Sequence, residues 1–481
     1  MLTKKEIKDI KNSHLVSILQ TFSKKEIRET RKWLHSPIHN QREDVVDLFD
    51  YLVSGNHLWE DKFLQKERIF RKIFPQESYN DAKLRQSIHF LLKSLESYLI
   101  TKQLQEDTVQ AKMALVSIYR KRKLTKAFQK TINEVQDLQN SATYQDEQFH
   151  RNEYLIQQER YLFLEGQKKR NIPMNLQEMS DALDTTFLAD KLRQACLMLS
   201  HQKVYRTEYK IGLFQEVMLH IEENDFLEIP AISIYYYIYK AITEGNDQSH
   251  FANLKLQIQN NGQLFPPEEI RDIQLMAINY CIGQANRGGG DRFIREAFEL
   301  FKLGFATQVF IENGNSVNHY TYRNAVAAAL RMKEFDWANS FIHDFRDYLH
   351  EDYREPFFLH SLARLKFESK QYDEAMRLLI STNFDDLLIN LHAKTMLLKM
   401  YVELDEDDAL EHLLESLRTY IHRKKVMGYH KENYQNIIRY TRKMSRINPF
   451  SKKEVSSLRD EIKAANPLTE REWLLEQLNN M

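Results

Sequence analysis

Apolar residues recur every three or four positions along nearly the whole chain, with charged residues filling the gaps between them. That period places the apolar set on one face of a helix, whereas a half-buried strand would alternate. Helix starts stand out at both ends of the chain. Thr3/Glu6, Ser23/Glu26, Ser451/Glu454 and Thr469/Glu472 have the spacing of capping boxes, in which hydroxyl and carboxylate satisfy orphan amides reciprocally. Leu2 with Ile7, Phe22 with Ile27, Phe450 with Val455 and Leu468 with Trp473 flank these caps as hydrophobic staples.

In the N-terminal part the pattern predicts two helices between Phe22 and about Leu52, broken at Pro37, which lacks an amide and restricts Ser36. A third follows at 58–74, then a long amphipathic helix at 79–105 carrying Ile88, Leu91, Leu92, Leu95 and Leu99. The stretch 109–138 is helical with a break near Lys123, and residues 1–125 are read as an N-terminal helical domain. The middle, 126–310, predicts helices near 144–169, 176–199, 203–223, 230–243, 249–259, 268–287 and 291–309. Ile172-Pro173-Met174 and the Asn261, Gly262, Pro266, Pro267 group separate some of them. Their lengths vary, so this part is either an irregular continuation of a repeat stack or a packed bundle.

Residues 311–425 are more regular. A helix at 319–332 turns through Lys333–Asp336 into one at 337–349. A second pair starts at Pro356 and turns through Ser369, Lys370 and Gln371; a third starts near Asp386 and turns near Asp405–Asp407. Ala338, Ala375 and Ala409 open the second helix of each pair and stand 37 and 34 residues apart. A fixed period of this length is the signature of stacked helix pairs. With capping helices at 426–481, the expectation is an all-α, elongated helical-repeat solenoid.

Composition agrees with this. Gly at 12 and Pro at 9 of 481 residues leave little turn chemistry for strands, against usual shares of roughly 7% and 5%. Lys+Arg and Asp+Glu are both 68, so the formal charge is zero, which argues against a long nucleic acid as the main partner. Local basic faces such as Arg120–Lys123 remain either contacts or a solvated helix end. Cys196 and Cys281 are too few for a disulfide framework and read as buried thiols. Residues 1–20 lack a signal-peptide core, and the densest apolar run, Ile234–Tyr239, is far short of the about 20 residues needed to span a bilayer. The expected compartment is the cytoplasm, without membrane insertion.

The regular part resembles the tetratricopeptide family. Leu359, Leu362, Ala363, Tyr372, Ala375 and Leu379 match its large and small positions; Tyr322, Ala325, Val326, Phe335, Ala338 and Ile342 match in part. Ala393, Met396, Leu397, Ala409 and Leu413 match more weakly, and the family's first-helix glycine and closing proline are missing. The N-terminal region is similar to large helical proteins of Bacteroidetes-type bacteria, which implies no function. The tetratricopeptide resemblance implies a concave face, lined by first helices, that binds a peptide or a helix. The family's carboxylate clamp falls on Arg323, Asn324, Arg364 and Lys394, where arginine forks and an ammonium would hold a carboxylate. The competing account is ordinary solvent-facing charge. Tyr235, Tyr236, Tyr237 and Tyr239 are a second interface candidate, against burial between neighbouring helices.

Catalytic motifs fare worse. Gly288–Gly290 lacks the lysine, serine and strand of a phosphate loop. His35 and His39 are separated by Pro37 and have no cysteine or suitably spaced carboxylate beside them for zinc. In the acidic run Asp405–Asp408, Leu410 and Ser416 stand where a calcium loop needs glycine and glutamate. The expectation is a non-catalytic scaffold or adaptor, without cofactor or metal, for a protein partner or a copy of itself. The alternatives are a regulatory subunit of a nucleic-acid-associated or defence complex, and an enzyme whose pocket the sequence does not reveal.

Overall fold

The computed structural model describes residues 9–480 except 168–172, 206, 246, 313, 383, 385 and 424–427. Two units are distinguished: the chain up to Ala142 with Gln148–Asp184, and Thr143–Glu147 with Thr185 onward. The Thr3/Glu6 cap, its Leu2–Ile7 staple and Ile172 of the middle loop lie outside the described residues.

The first unit is built on α1 (His14–Thr21), α2 (Lys24–Leu34), α3 (Glu43–Leu52), α4 (Lys66–Ile73), α5 (Asp81–Glu106), α6 (Thr108–Lys121) and α7 (Thr125–Asn140). It also takes most of α8 (Glu147–Gly166) and the start of α9 (Leu176–Tyr205). Ser23 forms the full capping box: Glu26 N donates to its Oγ at 3.2 Å and Ser23 N donates to Glu26 Oε2 at 2.8 Å. The Lys102 ammonium, and then that bond, pull the Glu26 carboxyl down to about 2. The helix expected from residue 58 begins only at Lys66. Before it, local bonds win: Tyr51 Oη donates to Phe63 O at 2.9 Å, and Trp59 N to Asn56 O at 2.9 Å. The apolar faces meet in two cores, one around Leu15, Leu48, Phe49, Phe70 and Leu91, the other around Val116, Phe128, Val135 and Ile156.

The second unit continues through α9 into α10 (Phe214–Glu223), α11 (Pro230–Thr243), α12 (Gln248–Asn261), α13 (Pro267–Gln284) and α14 (Gly290–Ala306). A two-residue antiparallel ladder, β1 (Ile311–Glu312) on β2 (Ser316–Val317), precedes the pairs α15 (His319–Arg331)/α16 (Phe335–Asp344), α17 (Glu351–Glu368)/α18 (Tyr372–Ser381) and α19 (Leu387–Glu403)/α20 (Asp407–Arg423). The helices α21 (Gly428–Arg446), α22 (Lys452–Ala464) and α23 (Arg471–Asn480) close it. One continuous apolar core runs from Leu188 to Leu478. The helix expected over 203–223 is two pieces, because α9 runs on to Tyr205 and Leu213, at φ +59°, turns the chain just before α10. Pro356 does not start its helix but sits inside α17, which begins at Glu351 under a His350 cap. Thr469 is not a cap either: it is held by Asn433, whose Nδ2 donates to its Oγ1 at 3.1 Å and whose Oδ1 accepts from its amide at 2.8 Å.

Consecutive helices pack in pairs, and the first helices also stack on one another, α15 on α17 and α17 on α19, as in a helical-repeat arrangement. Each pair turns in the same way. Lys333, Lys370 and Asp405 adopt left-handed φ of 60°, 62° and 56°. The next amide reaches back to the carbonyl of Ala329, Lys366 or Tyr401, closing a Schellman motif. Lys123, at φ 60°, makes this turn between α6 and α7 in the first unit. The turn residues stand 37 and 35 residues apart in the second unit. Five residues on, Ala338, Ala375 and Leu410 are all buried, so Ala409 is one position out of register. Tyr322, fully buried, ties α15 to α16 by donating to Ile342 O at 2.9 Å.

Candidate functional site

A groove of about 760 Å³ is lined by Leu330, Arg364, Phe367, Lys399, Glu403 and Trp473, among others. Its walls come from α15, α17 and α19, the stacked first helices, and from α23. Counting back six residues from the left-handed turns of the second and third pairs gives Arg364 and Lys399, so repeat geometry delivers two cations to one wall. Lys399 is neutralised: it pairs with Glu470 and lies under the Trp473 ring, 5.4 Å from its centroid. Along the rim, Lys370 Nζ and Trp473 Nε1 each donate to Glu403 at 3.0 Å, and Tyr372 Oη donates to the same carboxylate.

Arg364 has no such partner. It makes no hydrogen bond or ion pair among the described residues, and its Nε is buried. Behind it the ring nitrogens His360 Nε2 and His392 Nδ1 share a proton across 2.9 Å, joining α17 to α19. His360 is 2% exposed and its Nδ1 is buried with no partner. Arg323 of α15 completes the group; it lies over the Tyr320 ring at 5.4 Å and pairs with no carboxylate among the described residues.

Every charge bearing on the histidines is positive. Burial, then Arg364 and Arg323, push His360 down to about 3. Burial holds His392 well below its ordinary value, with Arg364, His360, Lys399 and Arg323 acting the same way. Burial lowers Arg364 too; the more distant Glu368 and Glu470 oppose it and Arg323 reinforces it. Two arginines thus bear on two neutral imidazoles with no anion in contact with Arg364 among the described residues, and a partly buried guanidinium left unpaired costs stability.

The sequence-derived clamp divides here. Arg323 and Arg364 both bear on the histidine pair, and half-buried Asn324 stands beside Arg323 in α15. Lys394 faces elsewhere, toward a separate cavity lined by Leu379, Phe384, Leu397 and Leu413, where its ammonium reaches Ser416 Oγ at 3.4 Å. It lies eleven residues before its turn, where Arg364 lies six before its own; Lys399 is the residue in register. His360 and His392 were not singled out from sequence. The available signal was a histidine in each of two adjacent first helices, His360 in the buried stripe of α17 and half-buried His392 in α19.

Of the tyrosines on α11, Tyr235 and Tyr236 are buried, donating to Glu269 Oε1 at 2.7 Å and Glu222 Oε1 at 2.9 Å. Tyr237 and Tyr239 are half-buried against Tyr236 and Phe214. In the basic stretch, Arg120 is engaged by Glu159, its Nε at 2.6 Å, while Lys121, Arg122 and Lys123 are exposed. His39 stacks on Trp33 at 3.4 Å between centroids. Gly288 and Gly290, at φ +97° and +67°, make the bend between α13 and α14 that side-chain-bearing residues rarely adopt. Both cysteines are buried, and burial pushes their thiols up. Among the described residues no three His, Cys, Asp or Glu gather as a metal site, and no helix is long and apolar enough to cross a membrane. Comparison with protein-family models, with curated proteins and with solved structures finds no match, so the site is read from its own chemistry.

Proposed function

We propose that this chain is a non-catalytic scaffold or adaptor. Its tetratricopeptide-like hairpins bind an acidic peptide or helix of a protein partner on the face formed by α15, α17 and α19. The observation that carries this reading is Arg364, charged, buried at its Nε, bordering a groove and unpaired. A protein keeps an unpaired guanidinium beside a groove at a cost in stability, and a carboxylate brought by a ligand removes that cost. Phe367, Leu330 and Trp473 offer apolar surface beside the charge, the mixture that anchors a peptide side chain next to its acidic group.

Affinity capture from native extract with wild type and with an Arg323→Ala/Arg364→Ala double variant tests it. A stoichiometric protein held by wild type and lost by the variant supports the reading. A partner held equally by both, or shed by neither at high salt, moves the contact to another face. A salt-sensitive shift with nucleic acid in place of protein capture would favour the regulatory-subunit alternative.

A further inference from the structure

We infer that the Arg323, His360, Arg364 and His392 cluster is an oxyanion site that takes up a proton as it binds. Its ligand is a carboxylate or phosphate monoester carried by an acidic peptide. The inference rests on the proposed binding face only for what carries the oxyanion.

Four observations lead to it. The guanidinium Nε of Arg364 and the Nδ1 of His360 are buried polar atoms without partners. Native proteins satisfy nearly all such atoms, and Arg364, unlike Arg346 and Arg471, whose Nε atoms are also unpartnered, has no other guanidinium contact among the described residues. The charges facing the histidines are Arg323 from α15, Arg364 from α17 and Lys399 from α19; none of those bearing on the pair comes from α16 or α18. The nearest acids, Glu368 and Glu470, act on Arg364 without touching it, and Glu470 is already taken by Lys399. The groove reaches Arg364, so the missing group has an approach from solvent.

Without a ligand the histidine pair is neutral and holds one proton in its internal bond. An oxyanion against Arg364 offsets the positive charge that opposes protonation of the pair. One proton then comes from solvent onto the pair, so that both rings together carry a single positive charge. The balance is one anion and one proton bound, with one N–H bond formed at the pair and one O–H bond of a solvent hydronium broken. Binding therefore strengthens as pH falls, until the free ligand itself protonates.

Ring-labelled histidines followed by NMR in the full-length protein give the test, with inorganic phosphate or trifluoroacetate, a carboxylate that stays ionised in acid, replacing chloride at constant ionic strength. Two histidine signals should move toward the imidazolium position, their midpoint rising by about one pH unit or more, equivalent to tenfold tighter binding to the protonated form. Arg364→Gln should abolish the movement. Arg323→Gln, on a different helix, should reduce it and carries the test if the first variant does not fold. A response to phosphate but not trifluoroacetate identifies a phosphate monoester site; a response to both identifies a general oxyanion site. No movement with either anion, or equal movement in Arg364→Gln, overturns the inference. Movement without any captured partner would retire the scaffold reading and leave the anion site standing. A captured partner indifferent to Arg364, with no movement, would do the reverse.

Discussion

Two polar clusters inside the second unit hold an arginine near buried groups, and they are balanced in opposite ways. In one, Arg193 of α9 reaches Glu147 at 2.7 Å and Glu269 at 3.4 Å, and Tyr235 donates to Glu269 at 2.7 Å. One arginine there is shared by two carboxylates in contact with it and is held above its ordinary range. In the other, Arg364 and Arg323 meet two neutral histidines and no acid in contact. The same residue type is a cross-link in the first place and an unmet demand in the second. Burial and count of partners, not residue identity, separate a structural arginine from one waiting for a ligand.

The sharpest way to break this comparison is to remove the paired arginine. Arg193→Ala leaves Glu269 buried and facing Glu147, and is expected to cost about 3 kcal/mol in urea unfolding, the low end for a buried pair because Arg193 is partly exposed. A loss under about 1 kcal/mol would mean that solvent already screens the pair and that the contrast is overstated.

Acid should expose the second cluster. His360 and His392 are depressed in the folded chain, so below pH 6.5, and for His360 down to about 3, the unfolded chain binds protons that the folded one refuses. Their contribution is complete above pH 6.5 and is lost as pH falls, at about 1.4 kcal/mol per pH unit for each histidine. A His360→Gln/His392→Gln variant should lose stability less steeply between pH 6.5 and 5 than wild type. Identical slopes would show that the rings are solvated.

Smaller effects sharpen the edges. Tyr235→Phe removes one donor to Glu269 and is expected to cost about 2 kcal/mol, as for a hydrogen bond to a charged group. Lys394→Ala, in the other cavity, should change stability by less than about 0.5 kcal/mol and leave the phosphate response of the histidines untouched. A lost response would restore Lys394 to the site.

Much of the helical order was legible because it is local. Turn composition located Lys333, Lys370 and Asp405, and the period between them followed from residues a few positions apart. Ala409 misled by one position because a small residue next to the buried Leu410 looks like the repeat's marker when only spacing is counted. The third clamp residue was placed at Lys394, five positions before Lys399, the residue in register with the turn. The histidine pair was not readable in this way: its two rings are 32 residues apart in sequence, and only the stacking of α17 on α19 brings them together. Thr469 failed as a cap for a similar reason, since a side chain 36 residues away, Asn433, took its hydrogen bonds.

The most direct measurement is the urea-unfolding stability of Arg364→Leu in parallel with Arg193→Leu, without ligand. An arginine waiting for an anion is a burden on the empty protein, so Arg364→Leu should leave stability unchanged or raise it by about 1 kcal/mol while Arg193→Leu lowers it. A loss of about 2 kcal/mol or more from Arg364→Leu would contradict the account, since it would make Arg364 a structural cross-link like Arg193.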